Sequence, residues 1–165
     1  SPEQDTDVKD PNKFTSELVN KRVGSVDVPT TQTKLASNGP LALGGCVTGN
    51  IEDLKDGYVF DASLLTTWDG VKPLPEKVGE FYECVLDVKF NENDKMIQEL
   101  PEPDGNTTIC FAIPLDKVGV IYFLDKYYDD EAEWVPVSEQ FESGIACGPV
   151  TKSGYYGMVD VQVNP

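Results

Sequence analysis

Thr108 to Ile113 (TICFAI), Val118 to Tyr128 (VGVIYFLDKYY), Trp134 to Val137 (WVPV) and Ile145 to Val163 (IACGPVTKSGYYGMVDVQV) are four segments, rich in Val, Ile, Tyr, Phe and Trp, into which the stretch Thr108 to Val163 divides. Turn-forming Pro, Gly and Asp separate them, and the last carries its own interruption. Short runs of β-branched and aromatic residues at this spacing predict a mostly β protein, a small antiparallel β-sandwich of Greek-key or immunoglobulin-like type. They do not suit the alternating strand and helix pattern of an α/β enzyme.

The same pattern extends upstream. Phe81 to Phe90 alternates so that Tyr82, Cys84, Leu86, Val88 and Phe90 share one face, the signature of a half-buried strand. Further strands are expected over Leu41 to Thr48 and Tyr58 to Trp68, with Gly44-Gly45 and Asp69-Gly70 as turn glycines and Asn91 to Asp94 as a polar turn. Val26 and Val28 alternate before Pro29. Met96, Ile97 and Leu100 fit either a short strand or a helical turn.

Pro11 to Val23 predicts one short N-terminal helix. Asp10 stands at the N-cap, Pro11 at the first helical position, Phe14 and Leu18 are four apart, and Gly24 ends it. Ser1 to Asp10 is polar and acidic without apolar periodicity and is expected to be a flexible leader. The 165 residues then divide into a leader, 1–10, and a single sandwich domain, 11–165.

Charge narrows the partners. Thirteen Lys and Arg stand against 29 Asp and Glu, a net charge of −16, so the field of the molecule repels phosphate backbones and anionic headgroups. Nucleic acid is excluded as an expected partner. No run approaches the roughly eighteen apolar residues of a spanning helix, so direct membrane insertion is not expected.

Four cysteines, Cys46, Cys84, Cys110 and Cys147, form no C-x-x-C pair, and the chain has no histidine. That disfavours a zinc cluster and favours two disulfides between buried, facing sulfurs in an oxidising compartment. Three pairings are open. Asn106-Thr107-Thr108 is a glycosylation sequon after the turn-prone run Pro101 to Gly105, and with the even cysteine count it points to a secreted or cell-surface protein.

The catalytic inventory is thin. Without histidine there is no Ser-His-Asp or Cys-His arrangement, and no phosphate-binding glycine loop occurs. A carboxylate-dependent glycoside hydrolase would need two acids facing across a cleft, about 5 to 10 Å apart. The acidic stretch Asp125 to Glu133 offers Asp125, Asp129, Asp130 and Glu131 as oxygen ligands for a hard cation such as calcium, without the spacing of a helix-loop-helix calcium loop. A solvated turn explains the same residues. For binding, Trp68, Tyr127, Tyr128, Tyr155 and Tyr156 could present ring faces to a glycan or a protein. Strand alternation turns one of Tyr127 and Tyr128, and one of Tyr155 and Tyr156, outward, whereas Trp134 is expected in the core.

Phe111-Ala112-Ile113-Pro114, Val120 to Asp125, Trp134 to Val137 and Gly154 to Val159, taken in order, resemble the closing half of ZU5-like and GAIN-like β-sandwich modules of cell-surface proteins. These often run as an F-x-x-P strand, a strand ending in an acidic turn, a W-x-P strand and a final aromatic strand. The resemblance rests on packing residues over about the last third to half of the chain and leaves the part before about Gly79 uncovered. It implies a ZU5-like sandwich used for adhesion, scaffolding or ectodomain assembly. Self-cleaving members place a His before a Ser or Thr nucleophile ahead of the last strand. Here Val150-Thr151-Lys152-Ser153 fills that stretch with no histidine, which argues against autoproteolysis. The expectation is a non-catalytic extracellular module that binds a protein partner, with a carbohydrate-binding module as the alternative.

Overall fold

The computed structural model describes residues 31–65, 70–103, 107–139 and 144–161. Their strands are β1 (Gln32–Leu35), β2 (Gly39–Leu43), β3 (Val47–Ile51), β4 (Tyr58–Leu64), β5 (Glu80–Glu92), β6 (Lys95–Ile97), β7 (Thr108–Ala112), β8 (Gly119–Leu124), β9 (Val135–Pro136), β10 (Ile145–Pro149) and β11 (Gly154–Asp160). The larger sheet runs β1-β4-β5-β11-β8-β9, with β6 also paired to β5, and the smaller runs β10-β7-β3-β2. All these pairings are antiparallel. No α-helix occurs among the described residues. The leader Ser1 to Asp10, the helix expected over Pro11 to Val23, and the Val26 and Val28 alternation lie outside them.

The long strand β5 shows how the sequence builds the core. Tyr82, Cys84, Leu86, Val88 and Phe90, the predicted face, are all buried. On the smaller sheet Leu41, Leu43, Val47, Ile109 and Phe111 turn toward them and join the same cluster. Each large apolar side chain buried between the layers contributes about 1.5–3 kcal/mol. At the far end of β5, Asn93 and Asp94 take positive φ values of 49° and 69°. These residue types tolerate that region, and the turn they make leads into β6.

The run Leu41 to Thr48, predicted as one strand, is a hairpin. Gly44 and Gly45 take φ values of 60° and 75°, and a Cβ on Gly44 would lie 2.1 Å from Leu64 Cδ1. The apolar run is continuous because both arms face the core, so the break shows only in the glycines. Val118 to Tyr128 stops as a strand at Leu124, where Lys126 N–H donates to the Leu124 carbonyl and the chain turns. Trp134 to Val137 shortens to the two-residue β9.

β11 is buried along its whole length. It sits between β5 and β8, and Tyr156 and Met158 point into the inter-sheet core. Its other face is covered too. Tyr155 packs with Val85, Leu124 and Trp134 in a second cluster, against which Val71, Leu74, Phe81 and Ala132 are laid. The segments around 70–74 and 129–134 thus cover part of the outer face of the larger sheet. They are stitched together: Trp134 Nε1 donates to the Lys72 carbonyl at 2.7 Å, and Lys72 Nζ donates to the Ala132 carbonyl at 2.6 Å.

Both predicted disulfides form, and none of the four cysteines is free. Cys46, in the turn after β2, bridges to Cys84 in β5 and ties one sheet to the other across a Cα separation of 6.6 Å. Cys110 and Cys147 stand directly opposite in β7 and β10, 4.0 Å apart at Cα. The expectation of buried sulfurs holds for the first pair alone. Ile109, Phe111 and Ala146 take the core face of β7 and β10, so alternation turns Cys110 and Cys147 to the outer face of the smaller sheet. Two disulfides fit an oxidising, non-cytosolic compartment. No helix among the described residues is long and apolar enough to cross a membrane.

Candidate functional site

The chemistry-bearing side chains gather on the outer face of the larger sheet, beside the turn Asp125 to Glu133. Register brings them together: Tyr155 of β11 lies opposite Asp87 of β5 on one side and Leu124 of β8 on the other. Lys126, the first residue beyond Asp125, folds back over this row. Its Nζ donates to Asp87 Oδ2 at 3.2 Å and to the Tyr155 hydroxyl at 2.9 Å. The same ammonium lies 4.1 Å from the Tyr155 ring centroid and 4.7 Å from that of Tyr127, within the range of cation–π attraction. Tyr127 in turn donates its hydroxyl to Asp87 Oδ1.

Electrostatics follow from that packing. Burial first, then the hydrogen bond to Asp87 and its charge, raise Tyr127 far above the ordinary tyrosine value, so the hydroxyl stays a donor. For Lys126 burial works to lower the value. The Tyr155 hydroxyl and the Asp87 carboxylate outweigh it, and the ammonium is held charged.

A pocket of about 340 Å³ opens beside this network, lined among others by Lys72, Lys126, Asp125, Asp129, Asp130 and Tyr155. Lys72 pairs with Glu133 at 3.2 Å. Much of the turn is solvent-facing: Asp129 and Asp130 of the pocket wall are exposed, as are Tyr128, Glu131 and Glu133 outside it. Asp125 Oδ1 accepts from the Tyr128 N–H at 3.3 Å, and Asp129 Oδ1 accepts from the Glu131 N–H at 2.9 Å. These bonds fix the turn by side chain to backbone contacts typical of Asp. No group of three or more His, Cys, Asp or Glu is placed to hold a metal ion among the described residues.

The predicted ring platform is rearranged. Tyr128 is exposed, at 39 %, and Tyr127 is half-buried, meeting Tyr128 edge-on at 6.3 Å. Tyr155 and Tyr156 are both buried, correcting the expectation that one of them faces solvent. Alternation still holds, but the outer face at Tyr155 is roofed by Trp134, whose ring lies 6.3 Å away at 18°. Trp134 is buried as expected. Trp68 and the sequon Asn106 lie outside the described residues. Sequence reasoning missed Asp87, Lys72 and Lys126. The available signal was that Lys126 is the one base between Asp125 and Glu133.

The Ser153 hydroxyl ahead of β11 serves the fold. Ser153 is fully buried. Its Oγ accepts from the Phe90 N–H at 2.8 Å and donates to the Ile97 carbonyl at 2.7 Å. The Tyr156 hydroxyl donates to the Lys152 carbonyl at 2.9 Å and accepts from the Lys152 N–H at 3.1 Å, pinning the same turn.

No protein-family model, curated protein or solved structure matches the chain.

Proposed function

We propose that this chain is a non-catalytic adhesion or scaffold module of a secreted or cell-surface protein, binding a protein partner through the turn Asp125 to Glu133. The observation that carries it is the division of labour within the turn. Lys126 is drawn inward onto Asp87 and Tyr155, and Trp134 is tied beneath the Lys72 carbonyl. Tyr128, Asp129, Asp130 and Glu131 stand exposed. Such a turn presents an aromatic side chain and several carboxylates without ordering them at the moment of contact, which favours complex formation. A basic patch on the partner is the complement of this surface and of the −16 net charge.

Two disulfides support the exported setting. The connections pass repeatedly between sheets, from β1 to β2, β3 to β4, β6 to β7, β7 to β8, β9 to β10 and β10 to β11, which supports the Greek-key, ZU5-like type within the sandwich class. The glycan alternative is weaker, because the faces of Tyr155 and Tyr127 already meet Lys126. Ser153 Oγ, bonded as both acceptor and donor, is an unsuitable nucleophile.

The test compares the protein with an Asp129→Lys/Asp130→Lys/Glu131→Lys variant, both immobilised, against native extracellular surface fractions and a glycan array. Capture of a protein by the parent and not by the variant supports the reading. A glycan signal shared by both proteins, with no protein captured, would replace it with the carbohydrate-binding one.

A further inference from the structure

The two disulfides occupy opposite environments, and this gives them different chemistry. Cys46 and Cys84 are 8 % and 9 % exposed and belong to the cluster between the sheets. Cys147 is exposed and Cys110 half-buried. Cys147 lies on β10, the end of the strand order of the smaller sheet, whereas Cys110 lies on β7, flanked by β3 and β10. A thiolate must reach a disulfide sulfur to attack it, so access separates the two bridges.

We propose that Cys110–Cys147 is a thiol-exchange site for a low-molecular-weight thiol, attacked at Cys147 Sγ, while Cys46–Cys84 is the structural bridge. The incoming thiolate forms a bond to Cys147 Sγ as the Cys147–Cys110 bond breaks. Cys110 leaves as a thiolate and takes a proton from water. A second thiolate then attacks the small molecule's sulfur, releasing its disulfide and the Cys147 thiolate, so two thiols are oxidised and one protein disulfide is reduced.

The geometry lets this happen without unfolding. Five residue pairs join β10 to β7, from Ile145 with Ala112 to Pro149 with Thr108. The Ile113 N–H donates to the Gly144 carbonyl and the Val150 N–H to the Thr107 carbonyl, both at 3.0 Å, closing the two ends of the pairing. Ala146 remains in the core. Opening the bridge therefore leaves β10 in register and yields a modifiable thiol on the outside of the sheet.

The experiment incubates the intact native protein with reduced glutathione, traps free thiols by acid quench and alkylation, and maps each cysteine by peptide mass spectrometry. Near-ultraviolet circular dichroism monitors the fold. The expected result is glutathione on Cys147 and alkylation on Cys110, at least about tenfold faster than any modification of Cys46 or Cys84, with the dichroism unchanged. A Cys110→Ala/Cys147→Ala variant should keep the fold and take up no glutathione. Opening of Cys46–Cys84 first, glutathione preferentially on Cys110, or opening of both bridges only in step with unfolding would each overturn the proposal.

Discussion

Replacing Ser153 by Ala removes one oxygen and opens a clasp between three segments. Ser153 Oγ takes the Phe90 N–H at 2.8 Å and gives its proton to the Ile97 carbonyl at 2.7 Å. The Ser153 N–H donates independently to the Gln98 carbonyl at 2.9 Å, so the backbone link survives the substitution. A typical hydrogen bond has a net worth of about 1 kcal/mol, and a buried group left unpaired costs about 1–3 kcal/mol. Ser153 and Phe90 are both fully buried, so Ser153→Ala is expected to destabilise the fold by about 3 kcal/mol. Unfolding entropies near 0.3 kcal/mol/K for a domain of this size turn that into a fall in Tm of about 10 °C. Ser138→Ala is the internal comparison. Ser138 Oγ makes the same two types of bond, accepting from Ile121 N–H at 2.8 Å and donating to the Glu139 carbonyl at 3.1 Å. Ser138 is half-buried and its bond to the Glu139 carbonyl is exposed, so its loss should cost less, about 1 kcal/mol. Urea unfolding followed by tryptophan fluorescence gives both values, and amide exchange at Phe90 reports the clasp directly. Equal small losses in the two variants, with Phe90 still protected in Ser153→Ala, would refute the reasoning.

The two disulfides close loops of nearly the same length, 38 and 37 residues apart, so chain entropy assigns each about 4 kcal/mol. Cys46→Ala/Cys84→Ala should nevertheless cost roughly 1–2 kcal/mol more than Cys110→Ala/Cys147→Ala, because it also empties packed volume in the core. Urea midpoints decide, and a larger loss for the outer pair would contradict the placement. Burial holds Tyr82, Tyr127 and Tyr156 protonated well above the ordinary 10.0, and Lys126 is raised above its 10.5. Each group keeps its proton in the fold where the unfolded chain loses it, so stability is intact below about pH 10 and falls as pH rises beyond it. Phenolate absorbance should show these three tyrosines ionising with unfolding, and an unchanged urea midpoint beyond pH 10 would contradict it. Calcium is expected to raise Tm no more than magnesium at matched ionic strength, as screening of the −16 charge predicts. A calcium-selective rise lost in Asp129→Asn would instead assign the turn a cation.

What the sequence revealed depends on how local its cause is. The inward face of β5 was legible residue by residue from Tyr82 to Phe90, because on a long strand the face turned toward the other sheet repeats the same signal five times. The break at Gly44-Gly45 was visible as a turn, yet the apolar run around it read as one strand because both arms bury their side chains. Tyr155 could not be placed by alternation. The roof above it comes from residues around 70–74 and 129–134, and nothing in a strand's own period reports what a distant segment lays across it. Asp87 and Lys126 are 39 positions apart, and only the pairing of β5 with β11 and of β11 with β8 brings them into reach. The cysteine pairing likewise required register, since even number and β context left three combinations.

The position of β11 sets the order in which the molecule can be completed. The strand in the middle of the larger sheet, flanked by β5 and β8, is the last strand among the described residues. Until Gly154 to Asp160 has emerged, β5 and β8 each present an unpaired edge, and the ring of Tyr156 that meets Phe123 at 4.9 Å is missing from the core. A chain delivered from its N-terminus therefore carries the centre of this sheet open until Gly154 to Asp160 emerges. Pairing across that gap joins residues far apart in sequence, which makes closure slow. The exposed edges are templates for wrong partners during that interval. Chains ending before Gly154 should accumulate as aggregates while chains that include β11 fold, so those two edges are the surfaces that need shelter until β11 arrives.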